Sequence, residues 1–273
     1  MPHTGKNNFT SETSETSKTS GTSGTSRTNP IARLAGPACL ARIARLWESL
    51  CDYIFPKECF GCSKEGEYLC SACFDKIRLF DEFPCFICNE GVFEEGICPD
   101  CREKTGIDRI IVATRYKDNY AGELVEALKY DFLESTAEEI AGLLIAQIEK
   151  KELKNVFEGA TIIAIPLHKK RFAERGFNQS ALLAERLAMF YNCEVRGNLL
   201  LRQKNTMQQA TLSREERQEN VKDAFEVDPL IVIPEKVILI DDVLTTGSTF
   251  SQSAKVLKAS GVKHVCCVAV CHG

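Results

Sequence analysis

Eight cysteines between positions 59 and 101 fall into four pairs of one spacing: Cys59-x-x-Cys62, Cys70-x-x-Cys73, Cys85-x-x-Cys88 and Cys98-x-x-Cys101. A C-x-x-C turn aims two thiolates at one point, and two such turns complete the tetrahedral shell of a Zn²⁺ ion. Eight thiolates therefore supply two structural zinc sites. Four turns in series argue against a thioredoxin-like redox pair, and iron–sulfur ligand spacings are usually less symmetric. The short gaps 63–69 and 89–97 favour consecutive pairing. That puts Cys59, Cys62, Cys70 and Cys73 on one ion and Cys85, Cys88, Cys98 and Cys101 on the other, although spacing alone leaves an interleaved arrangement open.

Many such ribbons bind DNA. This one carries three basic residues, Lys64, Lys76 and Arg78, against nine acidic ones between Cys59 and Cys101. Phosphate contacts need the opposite balance, so the module is read as a structural or protein-contact element. The whole chain of 273 residues has a net charge of -4. That excludes a surface given over to nucleic acid but leaves room for a local basic site. No apolar run approaches the ~18 residues of a membrane span, and no secretory pattern opens the chain. A cytoplasmic protein is expected, where cysteines more often serve metals than disulfides.

Residues 1–30 are a Ser/Thr-rich tract with too little apolar content to offset ordering, and disorder is expected. Glu12 and Glu15 argue against a transit peptide. Over 31–55, Leu40, Ile43, Leu46, Trp47, Leu50 and Ile54 recur at helical spacing, which predicts an amphipathic helix docked on the protein rather than on a membrane surface. The double zinc ribbon occupies 56–104. From 105 to 273 the pattern is α/β: strands at 107–116, 160–166, 236–243 and 262–270, and helices at 121–130, 135–154, 178–191 and 249–260, with Ser180 a candidate cap. The charged stretch 213–227 reads as partly helical. This alternation predicts a parallel sheet flanked by helices.

One stretch, Val237 to Thr249, reads VILIDDVLTTGST. An apolar strand ends in two adjacent carboxylates, and a turn of hydroxyls and glycine leads into a helix. Ligands of open parallel sheets bind beyond the carboxyl ends of strands. Helix N-termini bind phosphate through free N–H groups, and Gly247 permits close approach of the backbone. The turn thus suits a phosphate, and Asp241 and Asp242 suit a ribose diol with Mg²⁺. A Walker B reading needs a partner G-x-x-x-x-G-K-[ST] loop. The one Gly-Lys pair, Gly5-Lys6, has no Ser or Thr after it.

The stretch resembles the 5-phosphoribosyl-1-pyrophosphate (PRPP) motif of type I phosphoribosyltransferases. With "IPLHKKRFAERGFNQS" (165–180), "TMQQATLSREERQEN" (206–220) and the zinc knuckles, the chain over roughly 50–273 resembles the ComF family of competence-associated proteins. The resemblance implies a type I phosphoribosyltransferase fold and binding of PRPP with Mg²⁺. In it Asp241 and Asp242 would contact the ribose hydroxyls, and Thr245, Thr246, Gly247, Ser248 and Thr249 the 5-phosphate. Pro166, Leu167 and His168 would lie near the pyrophosphate, with Arg175, Asn178 and Gln179 lining the same pocket. Residues 202–220 would correspond to a closing loop. The basic residues Lys169, Lys170, Arg171, Arg175, Arg202, Lys204, Arg214 and Arg217 suit a polyanion. His168 equally suits a cap, and Lys129 either the pocket or a helix surface.

The acceptor is not written in the sequence. Pro2 and the low-complexity start leave no nucleophile for an N-terminal glutaminase. Two readings follow: a phosphoribosyltransferase with an unidentified acceptor, or a non-catalytic competence factor. The second would keep a PRPP-type site and bind single-stranded DNA or proteins of the uptake machinery.

Overall fold

Strand-forming apolar runs build the centre of the molecule. The computed structural model describes residues 56–117, 120–130, 136–203 and 224–273. The expectations for 1–55 and for 206–220 lie outside the described residues. Five strands, β1 (Arg109–Arg115), β2 (Thr161–Ala164), β3 (Glu194–Val195), β6 (Lys236–Leu244) and β7 (His264–His272), form one sheet. Their order is β1-β7-β6-β2-β3, and every pairing is parallel. A parallel sheet is covered on both faces and so reads as continuous apolar sequence. Val237 to Ile240 and Val265 to Cys271 are buried accordingly, and Cys266, Cys267 and Cys271 serve there as small apolar side chains. A separate antiparallel pair joins β4 (Leu200–Arg202) to β5 (Phe225–Val227).

The helices are α1 (Ser71–Phe74), α2 (Pro99–Thr105), α3 (Ala121–Tyr130), α4 (Thr136–Lys150), α5 (Lys169–Arg175), α6 (Gln179–Tyr191) and α7 (Ser248–Ala259). The four long ones match the periodic stretches read in the sequence. Helix α5 was not expected: five of its seven residues are charged, so it shows no apolar stripe. Strands β3 and β4 were also missed, being two and three residues long. Within 213–227, which reads as partly helical, Phe225–Val227 is a strand. The cap of α6 is Asn178, whose Oδ1 accepts the Ser180 N–H at 3.2 Å; Ser180 lies inside the helix.

Chain order locates the crevice. From β2 the chain runs through α6 to β3, outward to one side. From β6 it runs through α7 to β7, to the other side. Strands β2 and β6 are neighbours, so the loops after them part above their shared boundary, the usual ligand position in such sheets. The Ile165 N–H still donates to Ile240 O at 2.9 Å, which ties the loop after β2 to the strand that carries the acid pair.

The cysteine module covers the edge at β1. Leu79 bridges Thr114 antiparallel, Phe80 N–H donates to Ala113 O at 3.0 Å, and Thr114 Oγ1 donates to Arg78 O at 2.7 Å. The Gln147 side chain of α4 donates to Phe80 O at 2.9 Å. An edge strand left bare would template aggregation; here the ribbon pairs with it. Phe86 anchors the module, wholly buried, with ring centroids 5.2 Å from Phe80, 5.6 Å from Phe83 and 5.4 Å from His272. Residues 56–273 form a single contact unit.

Phe86→Ala is expected to cost about 3–5 kcal/mol of unfolding free energy, read by denaturant titration of the zinc-loaded protein. A loss below about 1 kcal/mol would mean that ribbon and sheet unfold independently.

Candidate functional site

The two four-cysteine groups, candidate zinc sites, are built from the same two pieces. In each first pair a left-handed residue closes the knuckle. Ser63 (φ 56) donates its N–H to Cys59 O at 2.7 Å, and Asn89 (φ 63) donates to Cys85 O at 2.7 Å. In each second pair a short helix begins: Cys70 and Cys98 stand at the N-caps of α1 and α2, with Cys73 and Cys101 inside them. The sulfurs of Cys59, Cys62, Cys70 and Cys73 lie within 4.8 Å of one another, as do those of Cys85, Cys88, Cys98 and Cys101. Cys62 and Cys70 are 3.6 Å apart, and Cys88 and Cys98 are 3.9 Å apart. Sulfurs about 2.3 Å from a tetrahedral Zn²⁺ stand about 3.8 Å from each other, so both sets fit the ion. The pairing is consecutive, and the interleaved alternative falls.

Electrostatics divides the labour within each set. Burial alone would raise the Cys59 thiol, but the N–H groups of Cys70, Gly61 and Cys62 outweigh it and hold the pKa at about 6. Cys85 is held at about 7 in the same way by Cys88, Cys98 and Ile87. Burial and the neighbouring thiols push Cys73 up to about 12. Cys59 and Cys85 thus form thiolates readily, whereas Cys73 needs a cation beside it.

The second centre is the crevice above β2 and β6. The two acids of β6 have different partners. Asp241 is half-buried, and its Oδ1 accepts from Ser180 Oγ at 2.9 Å and from the Asp242 N–H at 3.0 Å. Burial, then the neighbouring Asp242, push its pKa up to about 7. Asp242 Oδ2 faces Lys129 Nζ at 3.3 Å. Burial works against the Lys129 charge, but Asp242 and Glu126 outweigh it and hold the ammonium above the ordinary lysine value. Glu126 also accepts the Tyr116 hydroxyl. Of the two sites open to Lys129 in the sequence, the structure gives it the crevice.

Beyond Leu244 the turn at Thr245–Gly247 leads into α7. Gly247 has φ 73 and occupies the N-cap of that helix. Thr246 Oγ1 and Ser248 Oγ lie 2.7 Å apart, and the Ser248 N–H donates to Thr246 Oγ1 at 3.4 Å. Thr249 follows in the first turn. Across the crevice, Pro166, Leu167 and His168 form the half-buried loop after β2. His168 is the cap of α5: its Nδ1 accepts the Lys170 N–H at 3.2 Å. Asn178 spans two roles, capping α6 and donating from Nδ2 to Ile165 O at 3.0 Å. Gln179 is buried at the start of α6, and Arg175 is half-buried in the last turn of α5. Arg202, at the end of β4, donates to Pro166 O at 3.4 Å. Burial, then the nearby Arg171, lower its pKa to about 10, while Asp241 works in the opposite sense.

Ser180, Glu126 and Tyr116 escaped the sequence reading as site residues. Ser180 resembles any small polar residue near a helix start. Glu126 precedes Lys129 by three, a spacing that places both on one helix face and could have drawn attention to them.

No family model matches the chain. Competence protein F of Haemophilus influenzae is 28% identical over 204 residues, covering 72% of this chain and 87% of that protein. The DNA utilization protein YhgH of Escherichia coli K12 is 26% identical over 214 residues, 72% of this chain and 93% of its own length. Competence protein ComFC of Streptococcus pneumoniae is 27% identical over 201 residues, 72% and 84%. The chain is thus similar, over most of its length, to proteins named for competence and DNA utilisation. Among its described residues no helix is long and apolar enough to cross a membrane.

Elemental analysis of the full chain is expected to give two zinc ions per molecule, falling to one in Cys88→Ser; loss of both would contradict separate centres. The acid pair carries a pH signature. The folded-state pKa of Asp241 is raised, so stability attributable to it is full at low pH and declines as pH rises towards about 7. Asp241→Asn should therefore raise the unfolding midpoint at pH 8 and leave it nearly unchanged at pH 4.

Proposed function

We propose that this chain is a ComF-type protein serving competence or DNA utilisation, and that its crevice binds PRPP with Mg²⁺. The single observation that carries the PRPP reading is the placement of the acid pair and the hydroxyl-glycine turn together at the topological switch point, facing the loop after β2. The names of the relatives support the biological role. The turn offers an anion the N-terminal N–H groups of a twelve-residue helix. Asp241 and Asp242 offer hydrogen-bond acceptors to a ribose diol. Carboxylate oxygens are also the hard donors Mg²⁺ prefers; bound there, the ion would neutralise pyrophosphate charge. Gln179 Nε2 is buried without a hydrogen-bond partner among the described residues, and an acceptor on a bound molecule would satisfy it. Arg202 and Arg171 each make the other's charge costlier, which an anion between them would relieve.

The chemistry that follows is transfer of the phosphoribosyl group to an acceptor the structure does not name. Loss of pyrophosphate leaves an oxocarbenium-like centre. The chain's task is to stabilise the leaving charge with Arg171, Arg175 and Arg202 and to exclude water.

A second reading, binding of single-stranded DNA, is favoured by α5. It carries Lys169, Lys170, Arg171 and Arg175, with Phe172 half exposed at 50%. A basic element bearing an exposed ring is a platform for backbone contacts and base stacking. The two readings share one edge of the crevice.

Calorimetric titration with PRPP and Mg²⁺ is expected to show saturable binding that Asp241→Asn/Asp242→Asn removes. Absence of binding by the zinc-loaded wild type would overturn the PRPP reading. For α5, Phe172→Ala should weaken an oligothymidylate by about 1–3 kcal/mol, read by fluorescence anisotropy across a salt series, and PRPP should compete. Oligonucleotide affinity indifferent to Phe172 would remove α5 as the platform.

A further inference from the structure

In the first C-x-x-C pair of each four-cysteine group, Cys59–Cys62 and Cys85–Cys88, the third residue is where the cysteine module meets an element of the crevice. In the first knuckle that residue is Gly61. A Cβ there would lie 2.6 Å from Cys73 Sγ and 2.7 Å from Tyr120 Cε2, so the Tyr120 ring fills the space a side chain would need. Tyr120 immediately precedes α3, the helix of Lys129. In the second knuckle the sizes are exchanged. The knuckle residue is Ile87, and the small partner is Gly247 of the hydroxyl-glycine turn. A Cβ on Gly247 would lie 2.3 Å from Ile87 Cδ1. Ile87 is half-buried and packs on the core, between two cysteines of one metal centre.

Helix α2, which Cys98 caps and which carries Cys101 of this group, also ends beside α7. A Cβ on Gly106 would lie 3.6 Å from Lys258 Cγ, 3.8 Å from Lys255 N and 3.9 Å from Ala254 C. Residues flanking this four-cysteine group, Ile87 and Gly106, thus lie beside α7 at its N-terminal turn and again two turns on.

We propose that the second zinc knuckle sets the shape of the anion-binding turn, with Ile87 as a positioning residue that presses on Gly247 and the zinc ion holding Ile87 in place. This rests on the reading of Thr245–Thr249 as a phosphate site. A glycine at positive φ has more backbone freedom than any other residue. Unconstrained, the turn spends part of its time in shapes that cannot receive an anion, and apparent affinity falls with the competent fraction. The Ile87 methyl removes that freedom from outside the turn, so ligand affinity comes to depend on a metal that touches no ligand.

The test uses the full zinc-loaded chain as wild type, Ile87→Ala and the conservative Ile87→Leu. Zinc content, amide hydrogen exchange over 243–251 and PRPP–Mg²⁺ calorimetry are measured on each. Expected are two zinc ions in all three, faster exchange at 245–249 in Ile87→Ala with PRPP affinity about 3–10-fold weaker, and recovery of both in Ile87→Leu. Unchanged exchange in Ile87→Ala overturns the proposal, whatever PRPP does. Faster exchange with no PRPP binding even by wild type leaves the coupling standing and removes the PRPP reading instead. If Ile87→Ala loses zinc or unfolds, a double-mutant cycle between Ile87→Val and Gly247→Ala decides on stability. The shorter side chain should soften the Gly247→Ala collision, giving a less than additive loss; strict additivity overturns the contact.

Discussion

The register of β6 between β2 and β7 is the constraint on which the rest depends. Ile240 pairs with Ala164, and Asp241 pairs with Ala269. Because side chains alternate across a strand, a slip of one residue would exchange the two carboxylates between faces. In the observed register one acid meets Ser180 of α6 and the other meets Lys129 of α3. Adjacent positions in one strand thus acquire opposite electrostatic characters. Asp241 is desolvated and reluctant to ionise, and Asp242 faces the half-buried ammonium of Lys129. The arrangement costs stability at neutral pH, as is common where a site must hold charge ready for a ligand.

Charge is distributed in space rather than in total. The chain carries 34 basic and 38 acidic side chains, and its ribbon is acidic. The cations that matter gather along α5 and the end of β4, around a crevice whose floor is anionic. A phosphorylated sugar presents both needs at once, phosphates for the cations and a diol for the carboxylates. The two four-cysteine groups lie in the acidic ribbon and supply none of those cations or crevice carboxylates. They pair the ribbon with the β1 edge and brace elements that carry crevice groups.

The strongest signals in the sequence were those with a physical period or a fixed ligand geometry. Four C-x-x-C pairs predicted two tetrahedral sets, and sulfur separations of 3.6 and 3.9 Å suit them. The continuous apolar run ending in Asp241-Asp242 announced a central parallel strand. What stayed hidden was whatever is decided only by tertiary contact. Helix α5 is held by the His168 cap and left-handed Gly176 rather than by an apolar stripe. Ser180 became the partner of an acid 61 positions away, while the neighbouring Asn178 took the cap. Whether Lys129 faced water or Asp242 depended on how α3 packs against β7 and β1. Ile87 was one apolar residue among many until the fold set it against Gly247.

The most direct measurement of the central claim is a crystal structure of the full chain grown with PRPP and Mg²⁺. The account predicts the 5-phosphate on the backbone N–H groups at the start of α7, with the ribose hydroxyls within hydrogen-bond reach of Asp241 and Asp242. A ligand bound along α5 with the acid pair still engaged only by Ser180 and Lys129 would contradict it.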